Sequence, residues 1–115
     1  MENAVTAEYL TIHYRLEVGP IVVGVALYVA STDSLYIRFR DDLRLDDPYD
    51  FEFLAETSST FQSIAQQNGA KATFDWMSDS LSNVLFVTGP TPIRTDDPAK
   101  AAKDLCEQHS RSSQV

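Results

Sequence analysis

Apolar and polar residues alternate over residues 8–17, EYLTIHYRLE. Leu10, Ile12, Tyr14 and Leu16 share one side, and Tyr9, Thr11, His13 and Arg15 share the other. That pattern predicts a strand with one buried face. Gly19-Pro20 breaks it with a short turn. From Ile21 to Val29 only the side chains of Val22, Gly24, Ala26 and Tyr28 separate the large residues Ile21, Val23, Val25, Leu27 and Val29. A second strand over 21–30 is expected to show these two sets on opposite faces. Gly24 within it signals close packing or a bulge. After the polar turn Ser31-Thr32-Asp33, alternation resumes over 35–40, with Leu35, Ile37 and Phe39 inward and Tyr36, Arg38 and Arg40 outward. Connections this short exclude parallel crossovers, so the three strands form an antiparallel meander.

The period then changes. Asp47 can cap a helix that starts at Pro48, with Asp50 at the positive end of its dipole. Leu54, Phe61, Ile64 and Ala65 follow helical spacing, and Gly69 is a natural stop. Residues 71–81 form a second helix with Phe74, Met77 and Leu81 on one side. Val84 to Thr88 is a short fourth strand, ended by Gly89-Pro90. Thr95-Asp96-Asp97-Pro98 repeats the aspartate–proline start, and a last helix runs to about His109 with Ala101, Ala102 and Leu105 inward. The expected fold is one α+β domain over 1–115, with 110–115 a flexible tail. Its four-stranded, mostly antiparallel sheet has strand four beside strand one, order 4-1-2-3. About three helices pack mainly on one face.

A sheet covered on one side leaves the other open. Tyr9, His13, Arg15, Tyr28, Tyr36, Arg38 and Arg40 would then lean over the small Gly24 and Ala26, with Arg44 close by. Tyrosine and arginine are favoured at protein interfaces, so the leading expectation is a non-enzymatic interaction module, self-association included. Two other readings use the same face. Arg38 and Arg40, with Asp79 and Asn83, would suit a phosphate or nucleotide ligand. A sheet of aromatics also resembles a platform for single-stranded RNA, but a net charge of −8 opposes nucleic acid at long range.

Other chemistry is sparse. Asp75 and Asp79 lie one helical turn apart, yet Asp79-Ser80-Leu81-Ser82-Asn83 reads more simply as a helix end and turn. Cys106 and His109 supply two ligands where a zinc site needs three or four. No cofactor or metal is expected. Cys106 is the single cysteine, so no internal disulfide forms, and a reducing cytoplasm is the expected compartment. The stretch MENAVTAEYL lacks the pattern of a secretory signal, and no apolar run reaches the length of a membrane-spanning helix.

Four stretches, in order, carry a resemblance: VVGVALYV at 22–29, RFRDDL at 38–43, DWMSDSLSN at 75–83 and TDDPAKAAKDLCEQH at 95–109. Together they resemble the small bacterial proteins of domain-of-unknown-function family 3037. The resemblance implies a small stand-alone cytoplasmic protein without an established activity. It also implies a possible protein partner, a kinase-like protein of the HipA type. The family often places an asparagine just before the valine-glycine-valine of its second strand. Here Ile21, Val22 and Val23 stand there, which weakens any function tied to that asparagine.

Overall fold

The computed structural model describes residues 4–17, 19–41 and 47–111, with the side chains of 110 and 111 outside that description. The first three strands are β1 (Val5–Leu16), β2 (Gly19–Val29) and β3 (Ser34–Phe39). Two helices follow, α1 (Pro48–Asn68) and α2 (Ala70–Ser80), then β4 (Leu85–Thr95) and α3 (Pro98–Arg111). The strands form one antiparallel sheet in the order β3-β2-β1-β4, an α+β fold with the expected strand order. The last helix runs past His109 to Arg111, and the rest of the expected tail, 112–115, lies outside the described residues.

Local chemistry explains where the helices start and stop. The Asp47 carboxylate accepts the Tyr49 N–H at 2.9 Å, with Pro48 in the first turn, which satisfies a donor that has no partner within the helix. Gly69, at φ +90°, separates α1 from α2 in a conformation that side-chain-bearing residues avoid. Asp97 accepts the Lys100 N–H at 3.2 Å at the head of α3.

Two of the three helices share a face, and the third takes the opposite one. Leu54 and Phe61 of α1, with Phe74 and Met77 of α2, pack on Leu10, Ile12, Tyr14, Ile21, Val23, Ala26 and Tyr28. On the other side, Ala102, Leu105 and Cys106 of α3 pack on Ala7, Val25, Leu27 and Val29. This explains why β2 is apolar throughout: it is buried at every residue from Ile21 to Val29 because both of its faces are covered. The alternating strands, β1 and β3, reach past the cover.

The expected parity of β2 fails midway. Ile12 pairs with Gly24, and His13 pairs with Val22, so Val23 has no partner of its own in β1. This β-bulge turns Val23 and Gly24 to the same side and reverses the alternation beyond them. Tyr28, expected on the open face with Tyr9 and Tyr36, therefore lies under α2. Its ring stacks on Phe74 at 5.5 Å, and its hydroxyl donates to Asp33 at 2.9 Å.

The fourth strand also exceeds its expected length. It continues through Gly89-Pro90, where the register against β1 shifts between Tyr9 and Thr11, and ends at Thr95. On an outer strand a proline need not remove a ladder hydrogen bond, so Pro90 and Pro92 do not end it. On the same core face as α1, the Tyr14 hydroxyl donates to Asp50. Burial, followed by that carboxylate, pushes its pKa up to about 12.

Candidate functional site

The α3 face of the sheet holds most of the residues that the sequence singles out, but it is not the open platform expected. Small side chains at Ala101 and Ala102 let α3 seat over β2, and Tyr9 and Tyr36 become half-buried flanks of its core. Gly24 and Ala26, expected at the centre of the open face, lie on the α1–α2 side. Cys106 is buried beneath α3, its thiol 3.8 Å from the Arg38 carbonyl, as befits an ordinary core thiol.

Past the C-terminal end of α3, a strip of this face carries polar chemistry. β1 and β4 place His13 opposite Phe86, and their rings stack at 4.7 Å with 7° between planes. The Arg15 guanidinium carbon lies 4.2 Å from the centre of the same Phe86 ring. Its Nε donates to the Asn83 carbonyl at 3.0 Å, and the Arg15 backbone N–H donates to the Val84 carbonyl at 2.9 Å. The His13 Nε2 lies 3.1 Å from the Thr88 hydroxyl. At the other side of the imidazole's surroundings, the Tyr9 hydroxyl is 3.4 Å from His109 Nε2 on α3. Burial and, after it, the charge of His109 hold the His13 pKa below its ordinary value.

The chain thus brings His13 and His109 into electrostatic reach, which their separation in sequence conceals. Phe86, Thr88 and His109 are the residues that the sequence did not place in the site. The predicted neighbour relation of strands one and four put β4 beside β1, but only the register sets Phe86 against His13.

Arg38 and Arg40 have different surroundings. Arg38 is exposed on the α3 face, paired across the sheet with Val25. Arg40 follows the end of β3, and its guanidinium reaches back to the Val22 carbonyl at 3.1 Å. It also lines a recess of about 270 Å³ with Phe39, Asp41, Phe51 and Leu54. Arg44 and Asp42 lie outside the described residues. Asp79 is exposed near the end of α2, while Asn83 serves Arg15 and Leu85 through its backbone. Asp75 pairs with Lys71 at 2.9 Å, not with Asp79. Among the described residues no group of three histidine, cysteine or acidic side chains is placed to hold a metal, and no helix is long and apolar enough to cross a membrane.

Chemically, the strip is a fixed stack of imidazole, phenyl ring and guanidinium. Its His13–Thr88 contact pairs a base with a hydroxyl, but the imidazole lies flat on Phe86, and among the described residues no carboxylate is hydrogen-bonded to it. A working triad needs that third group.

These features define a small α+β protein whose antiparallel four-stranded sheet is covered by two helices on one face and one on the other. The chain belongs to the family described as protein of unknown function (DUF3037), whose model matches residues 16–109. No curated protein and no solved structure matches it.

Proposed function

We propose that this protein is a non-enzymatic interaction module whose contact surface is the strip that α3 leaves uncovered: Arg15, His13 and Phe86, with Arg38 on the same face two strands from β1. The Arg15 guanidinium laid on Phe86 carries the reading. It is an exposed cation that its Asn83 hydrogen bond and aromatic support hold in place, so little side-chain entropy is lost when a partner docks. An acidic or carboxylate-rich protein surface is the matching chemistry. The anion-ligand reading has less support, because the Arg40 guanidinium is engaged with the Val22 carbonyl while Arg38 is exposed on the α3 face.

The kinase-like protein of the HipA type that the family resemblance implies is the first partner to test. Calorimetric titration of that protein with the wild-type chain, Arg15→Glu and Arg38→Glu is the experiment. The expected result is binding by wild type and at least roughly ten-fold weaker binding by Arg15→Glu, with unchanged melting behaviour. Equal affinity of wild type and both variants would remove this surface from consideration. Absence of wild-type binding would reject that partner.

A further inference from the structure

The two outer strands of the sheet differ in a way that bears on self-assembly. β4 is guarded, since Pro90 and Pro92 offer no N–H and Gly89 sits in a bulge at φ +113°. β3 has neither proline nor bulge over Ser34–Phe39, and its register against β2 is unbroken. The Arg40 N–H donates to the Val23 carbonyl, and the Arg38 carbonyl is the atom nearest the missing Cβ of Gly24. Even-numbered residues of β3 therefore turn their backbone groups toward β2. Because N–H and C=O of one residue point the same way in an antiparallel strand, Leu35, Ile37 and Phe39 turn theirs outward.

We infer that β3 is a homodimer edge, joining antiparallel to β3 of a second copy about a twofold axis at Ile37. In this register Ile37 pairs with its own copy, and Leu35 pairs with the partner copy's residue 39. Each outward N–H and C=O of the three odd residues then finds a partner. The side chains suit the same register. On the α1 side, leucine meets phenylalanine beside the recess lined by Phe39, Phe51 and Leu54. On the α3 side, Arg38 meets the tyrosine at position 36 of the other copy, a cation beside an aromatic ring. The strand itself carries no acidic residue; just beyond it this register sets Asp33 opposite the aspartate at position 41 of the other copy, so pairing of the odd residues and of Arg38 with the tyrosine has to outweigh like charge at the two ends. The result is one continuous sheet of eight strands, four from each copy. This edge shares Arg38 with the proposed contact surface but none of Arg15, His13 and Phe86, which lie on β1 and β4.

The test is sedimentation of the full chain together with amide hydrogen exchange at low and high protein concentration. The expected result is a particle of twice the 12.8 kDa chain mass, with exchange at Leu35, Ile37 and Phe39 slowing as concentration rises. Ile37→Pro removes one outward N–H and should return the particle to a single chain, while Arg15→Glu should leave the dimer intact. A wild-type protein that stays a monomer at high concentration overturns the inference. So does a dimer in which those three amides exchange as fast as in the monomer. Should Ile37→Pro fail to fold, exchange in the wild type still decides.

Discussion

Gly24 stands where β2 has no room for a side chain. A Cβ there would lie 2.5 Å from the Arg38 carbonyl oxygen and 3.3 Å from Phe39, and the first of these is backbone that cannot swing aside. Gly24→Ala should therefore destabilise the protein by about 1–3 kcal/mol, the usual cost of overpacking. Urea unfolding should show this as a lower midpoint with the slope unchanged. An unaltered midpoint would mean that β3 can shift away freely. A glycine inside an apolar run announced close packing or a bulge in the sequence. That the bulge also reverses the facing of Ala26 and Tyr28 was not legible, because it follows from pairing with Ile12 and His13 of another strand.

The α3 helix shows how an element can be correct in itself and unexpected in its place. Its start, its extent and its inward residues Ala101, Ala102 and Leu105 follow from spacing and capping, and all three are at least half-buried. Which face of the sheet receives it depends on the path of the chain out of β4. That strand runs on to Thr95 and delivers the helix to the side of Ala7, Val25 and Leu27. Leu105 closes that second core. Leu105→Ala should cost about 2–5 kcal/mol and speed amide exchange in α3 more than in α1. Equal acceleration in both helices would show that the two layers unfold as one unit and that α3 has no separate hold on the sheet.

Across the molecule, β1 and α3 come together at Tyr9 and His109, 100 residues apart, and the same meeting brings the charge of His109 to bear on His13. Burial first, and then His109, keep His13 from taking up a proton as readily as an unfolded chain would. A depressed pKa of a base means that the unfolded state binds the proton more tightly. The His13 contribution is therefore complete above the ordinary value of 6.5 and is lost as pH falls through the depressed one. Melting temperature should decline over that acidic window, and His13→Gln should flatten the decline. An identical slope in the variant would assign the acid sensitivity to other groups.

Alternation, spacing, capping aspartates and short connections are local properties of the chain. They were enough to specify the elements, the antiparallel meander and the family, since each depends on residues close in sequence or on a run of motifs. The side of the sheet on which α3 lies, the turn of Tyr28 into the core and the stack of His13, Phe86 and Arg15 depend on register and on the route between elements. Those are set by contacts among residues far apart in the chain, where a shift of one position changes which side chains meet, and no local pattern encodes them.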